Sequence, residues 1–177
     1  LDCRNPNRLI YVTRQPNPYI SPVVLEFGNW TIVTMDNAQI LVSVPIVLEA
    51  HNLFLGGFEF IHNVGDSGPT FTVGFGLDRP PENITLANIT FTGSSTQQSA
   101  MVGEYGSLSI INSRFKGYDS DTVVNIRSNC GILFFQNNTF TDVRRSALHA
   151  EKYSMLSVYE NNFNSCGRKV RIAQPYC

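Results

Sequence analysis

Four phenylalanines, Phe91, Phe115, Phe140 and Phe163, recur along the chain at spacings of 24, 25 and 23 residues. Each closes the same eight-residue unit: 84–91 reads ITLANITF, 108–115 LSIINSRF, 133–140 LFFQNNTF and 156–163 LSVYENNF. Ile84, Leu108, Leu133 and Leu156 fill the first slot, and Leu86, Ile110, Phe135 and Val158 the third. Alternation of this kind marks a strand with one face buried. Asn88, Asn112, Asn137 or Glu160 then interrupts it. Asn suits a left-handed bend that returns the Phe to the interior. A fifth copy stands upstream at 53–60 (LFLGGFEF), with Gly57 in the Asn slot, and 30–37 (WTIVTMDN) is a degenerate sixth.

A second β-like run follows each of the five clear units, at 71–75, 100–104, 122–127, 147–151 and 169–172, and upstream 22–27 and 45–49 fit the same role. The same residue type in the same slot every coil is the signature of a solenoid, in which each repeat buries its apolar face against its neighbours. The expectation is an all-β fold, a single-stranded right-handed parallel β-helix of about six to seven coils, roughly 30 Å long at the usual strand spacing. A β-sandwich or jelly roll is the alternative, but it does not require one slot to repeat at this period. No helix-period run supports a leucine-rich repeat. The expected organisation is one domain over 1–177. In it 1–29 forms an N-terminal cap or first coil, 53–166 the clearest repeats and 167–177 a C-terminal cap. The long interval between Phe60 and Phe91 leaves an inserted loop at 76–82.

Only 15% of residues are charged, and 17 Asn help to cover the surface. A net charge of −1 gives no field for nucleic acid, so no nucleic-acid partner is expected. No apolar run is long enough for a membrane span. The start, Leu1-Asp2-Cys3-Arg4, lacks the charged and apolar regions of a signal peptide and reads as a mature chain. Cys3, Cys130, Cys166 and Cys177 lack metal-ligand spacing and are disulfide candidates, with three connectivities open. Asn29, Asn83, Asn88 and Asn137 each begin an Asn-x-Thr acceptor for N-glycans. Cysteines and sequons together imply a secreted, extracellular or cell-surface setting.

The run from Leu53 to Cys166 resembles the right-handed parallel β-helix repeats of the pectate-lyase-like superfamily. It is especially similar to extracellular and surface proteins with an Asn-x-x-Phe signature, as in the polymorphic outer-membrane type of repeat, although the Gly-Gly-Ala-Ile element of that group is absent. The resemblance implies a β-helix whose role ranges from polysaccharide lyase, hydrolase or esterase to adhesin or structural rod. The catalytic elements of polygalacturonases, pectin methylesterases and pectate lyases do not occur; Arg171-Ile-Ala is a fragment of one.

Other chemistry-bearing residues fall into small groups. Asp119, Asp121, Asp142, Arg144 and Arg145 occupy comparable turns after successive Phe anchors, with Arg168 and Lys169 one coil on. They form a candidate carbohydrate or ion edge, or simply a solvated turn face. His51, His62 and His149 have no nucleophile at catalytic spacing. Tyr105, Tyr118, Tyr153 and Tyr159 could make a sugar-stacking strip, but ordinary edge packing is the favoured reading. Asn88, Asn112 and Asn137 either form an internal hydrogen-bonded ladder, which would bury two sequons, or face solvent at the bend, where Asn88 and Asn137 could carry glycans.

No catalytic residue, metal or cofactor is implied. The leading expectation is a secreted non-catalytic β-helix glycoprotein, structural or adhesive. A polysaccharide-binding module and a divergent polysaccharide lyase or glycoside hydrolase are the alternatives. The absence of helical caps suggests end-to-end self-association into a filament.

Overall fold

A computed structural model describes residues 7–21, 24–25, 29–62, 68–72, 80–94, 99–119, 122–128 and 131–173. The chain winds as a parallel β-solenoid of about six turns, without a helix among the described residues. The first two coils supply β1 (Asn7–Tyr11), β2 (Tyr19–Ser21) and β3 (Val24–Leu25), then β4 (Asn29–Val33), β5 (Gln39–Val42) and β6 (Ile46–Leu48). Next come β7 (Leu53–Gly56), β8 (Glu59–His62) and β9 (Phe71–Thr72), followed by β10 (Ile84–Ala87), β11 (Thr90–Thr92) and β12 (Met101–Tyr105). The following coil holds β13 (Leu108–Ile111), β14 (Arg114–Tyr118) and β15 (Val124–Ser128). In the last two, β16 (Ile132–Gln136) leads into the long β17 (Thr139–Glu151), and β18 (Met155–Tyr159) into β19 (Asn162–Ile172).

Every strand pairs in parallel with its counterpart one coil away, which builds three ladders. The first runs β1-β4-β7-β10-β13-β16-β18. The second runs β2-β5-β8-β11-β14-β17 and the third β3-β6-β9-β12-β15-β17, so that β17, bent through its length, belongs to both. β19 caps both by pairing along β17, with a register shift between Val143 and Ser146. Residues 167–172, the described strand part of the expected C-terminal cap, continue the sheet as its last rung.

The register expected from the Phe slot is the register found. Leu108 lies opposite Ile84 and Leu133, and Phe115 lies opposite Phe91 and Phe140. Because the pleat alternates, residues of one slot all point inward and stack. Phe60, Phe91, Phe115, Phe140 and Phe163 form one aromatic column, with successive ring centroids 5.6, 4.8, 4.7 and 5.2 Å apart. The last three ring pairs are parallel to within 8°. That repeat matches the spacing of hydrogen-bonded strands, so backbone and rings stack without conflict. Ile40 and Tyr19 continue the column upstream.

The degenerate copy at 30–37 proves to be a full coil with an expanded bend. Trp30 pairs with Leu53 and Ile40 with Phe60, so three extra residues separate the two strands. The slot at position 37 is thus not the Phe slot. Thr34 Oγ1 donates to Asp36 Oδ1 (2.5 Å) and the Arg14 amide donates to Asp36 Oδ2 (2.9 Å). These two donors hold the Asp36 carboxyl below the usual aspartate range. Its contribution to the bend is present above that range and is lost as pH falls through the lowered pKa. The next coil answers with Gly57, at φ +83°, where a Cβ would strike the Thr34 carbonyl.

Phe115 is 1% exposed and sandwiched between two parallel rings. Phe115→Ala removes both stacking contacts and opens a cavity that the fixed coil spacing cannot close. It is expected to lower unfolding free energy by about 3–5 kcal/mol, measured by urea denaturation; a loss below about 1 kcal/mol would mean the column is not packed as described.

Candidate functional site

The four sequon asparagines stand along the two borders of the first ladder. Asn29 opens β4 and Asn83 precedes β10, and they are joined through Asn52 into an amide column. Asn52 Nδ2 donates to Asn29 Oδ1 and Asn83 Nδ2 to Asn52 Oδ1, each at 2.7 Å. Asn88 and Asn137 sit at the opposite border, in the bend before the second ladder. Asn88, Asn112 and Asn137 all adopt left-handed φ of 51–55°. Asn83, Asn88 and Asn137 are exposed and Asn29 is half-buried.

Of the two readings open at 88, 112 and 137, the solvent-facing bend is the one found. The left-handed bend turns these side chains outward, where Asn137 Nδ2 donates to Asn112 Oδ1 (2.8 Å). The buried polar column lies one residue further on, at Ser113, Asn138 and Asn161. Asn138 is fully buried. Its Oδ1 accepts from the Ser113 amide (2.9 Å) and its Nδ2 donates to Ile110 O (2.8 Å). Asn161 Oδ1 accepts from the Asn138 amide (2.9 Å), and its Nδ2 donates to Phe135 O (2.9 Å). Each side chain thus satisfies backbone groups that the bend withdraws from the ladders. In the sequence only the -Asn-Asn- doublets 137–138 and 161–162 hint at it.

The charged turn edge comes together only in part. Asp119 and Arg144 meet at 3.4 Å, with half or more of each side chain exposed. Asp142 occupies a left-handed bend in line with Gly117, one step away from Asp119, and Arg145 is exposed. Asp121 lies outside the described residues. The two described carboxylates therefore do not pair, and an ion pair so open contributes about 0–1 kcal/mol.

Nor do the tyrosines make a strip. Tyr105 and Tyr118 occupy inward positions of their strands and are completely buried, and burial pushes both phenols up. Tyr153 packs against the core, and only Tyr159 is open, edge-on to Phe134 at 5.5 Å. Cys166 is a half-buried thiol whose Sγ lies 3.4 Å from Asn164 O and 3.6 Å from Phe140 O, and burial raises its pKa. Cys3, Cys130 and Cys177 lie outside the described residues, so the expected pairings do too. Of the loop 76–82, residues 80–82 are described; Pro81 O and Glu82 O accept from the Gly106 and Asn52 amides.

The structure adds a charged constellation on the outer face of the third ladder. Val102, Asn125, His149 and Arg171 form one row, and Glu104, Arg127 and Glu151 the next. Glu151 is the hub: Arg127 Nη2 approaches Oε2 at 3.4 Å and His149 Nε2 approaches Oε1 at 3.3 Å. The His149 side chain is 13% exposed. A shallow depression of about 190 Å³ lies over Val102, Asn125, Arg127, His149 and Glu151. Such a surface can present imidazole, guanidinium and amide donors to sugar hydroxyls. The alignment of second runs carried the signal, since Glu104, Arg127 and Glu151 repeat at 23 and 24 residues. Among the described residues no group of three or more His, Cys, Asp or Glu could hold a metal, and no helix is long and apolar enough to cross a membrane. No family model, curated protein or solved structure matches the chain.

Neighbouring asparagines should respond oppositely to substitution. Asn138→Leu strands the Ser113 amide and the Ile110 carbonyl in the interior, with an expected loss on the order of 2–4 kcal/mol. Asn137→Gly keeps the left-handed bend and should stay within about 0.5 kcal/mol of the parent. Thermal or urea unfolding of the two variants distinguishes them; equal losses would reject the assignment of the buried column to position 138.

Proposed function

We propose that the chain is a secreted, non-catalytic β-helix glycoprotein with a structural or adhesive role. The reading places it among extracellular Asn-x-x-Phe repeats of the pectate-lyase-like kind. The observation that carries it is the outer face of the first ladder. From β4 to β18 its strands contain no charged residue. Phe54, Ile132, Met155 and Tyr159 are exposed there among Thr31, Thr85, Ser109 and Ser157. A broad uncharged face of this kind favours contact with another surface, and the sequon asparagines border it on both sides, where N-glycans would flank the contact without covering it.

The ion-paired arrangement of the third face also favours a non-catalytic role. Glu151 is engaged by both Arg127 and His149, and its contact with Arg127 ties successive coils together. A second reading, polysaccharide contact, is supported by the same row of donors. Under the enzymatic alternative, Glu151 would be the group to substitute.

Expression through a eukaryotic secretory route tests the main reading. Secreted protein should carry N-glycan on at least one of Asn29, Asn83, Asn88 and Asn137, read as site-specific mass before and after glycan removal. Retention inside the cell with all four unmodified would reject it. Polysaccharide cleavage abolished by Glu151→Gln would replace it with the enzymatic alternative.

A further inference from the structure

We infer that the outer face of the second ladder is a binding groove for an acidic polysaccharide, with Arg114 and Lys116 as its anion-binding centre. The groove is a depression of about 670 Å³ across β8, β11, β14 and β17. Parallel pairing places Thr90 and Thr139 on either side of Arg114, and Thr141 beside Lys116. These side chains point outward because Phe91, Phe115 and Phe140, between them in the sequence, point inward. The Phe column that holds the core together thus also fixes the spacing of the groove.

The charges are disposed for an anionic guest. Arg114 and Lys116 are exposed and make no ion pair among the described residues. Standing at i and i+2 on one strand, they are held about 7 Å apart along it. Of the two acids at the groove, Glu59 already accepts from Gln39 Nε2 (2.8 Å), and Asp142 lies at the margin on its own bend. Arg14 and Asn37 form the far wall, which Asp36 secures by accepting from the Arg14 amide.

The pattern selects a class of ligand. Nucleic acid carries a dense row of phosphates and calls for many cations, whereas this chain has a net charge of −1 and the groove only a few. A polymer with isolated carboxylates or sulfates separated by hydroxyls meets what the groove offers: cations flanked by threonine hydroxyls and by the Asn88 and Asn112 amides. This inference goes beyond the glycoprotein reading and does not depend on it.

The test is affinity electrophoresis of the full chain in gels containing polygalacturonate, dextran sulfate or neutral dextran, with circular dichroism of every variant. Retardation should occur with one or both acidic polymers, weaken with added salt, and be absent with neutral dextran. Comparison of the two acidic gels distinguishes carboxylate from sulfate as the preferred group. Arg114→Gln/Lys116→Gln should weaken it by at least about tenfold. Arg168→Gln/Lys169→Gln, which removes the same charge from the last coil, should change it by less than about twofold. Arg114→Lys/Lys116→Arg should retain binding and serves if the neutral pair fails to fold. No retardation by either acidic polymer, equal retardation by neutral dextran, or equal losses in both Gln pairs would overturn the inference. Its failure would leave the secretion and glycan result untouched.

Discussion

Backbone hydrogen bonding between coils is the constraint from which the rest of the molecule follows. Each strand pairs with the same strand of the coil before and the coil after, so a slot is repeated at one fixed spacing down the rod. Whatever occupies a slot must therefore stack on itself. Phenylalanine does so as parallel rings, and Ser113, Asn138 and Asn161 do so by passing hydrogen bonds to neighbouring coils. Insertions are tolerated only where no ladder passes. The three additional residues in the bend after β4 obey that rule.

The same constraint organises the surface. Outward slots also form rows, so chemistry is displayed as lines running along the rod rather than as isolated side chains. The first face is uncharged, the second sets cations between threonines, and the third alternates Glu104, Arg127 and Glu151. A ligand crossing several coils would meet repeated groups at regular intervals. That favours extended partners over small compact ones, and it unites the adhesive reading with the groove on the second face.

Much of the fold was legible in the sequence because the buried slots repeat in residue type. The five Phe units fall in register as read, the described parts of the second runs lie on the third ladder, and the strand 24–25 lies within the run 22–27. The upstream coils were harder to read: Tyr19 and Ile40 replace Phe, and the longer bend shifts the count between slots. The buried amide column, one residue beyond the exposed bend asparagines, was not legible. A left-handed bend and a buried amide both favour Asn, and only the bend geometry tells Asn137 from Asn138. Of the two readings of the tyrosines, packing holds for Tyr105, Tyr118 and Tyr153, although a single Tyr beside a turn carries no period that reveals its facing. Glu104, Arg127 and Glu151 were visible as a period but lay outside the unit anchored on Phe. The turn acids Asp119 and Asp142 both follow a Phe anchor, but at four and two residues from it, which sets them in different rows.

The stacked aromatic column is the feature that ties register, core and outer faces together, and ring-to-ring nuclear Overhauser contacts report on it directly. The Phe115 ring protons should show contacts to the rings of both Phe91 and Phe140, residues 24 and 25 positions away in the sequence. Contacts from Phe115 to neither ring, in a folded sample with assigned aromatic resonances, would contradict the solenoid register and the surface rows built on it.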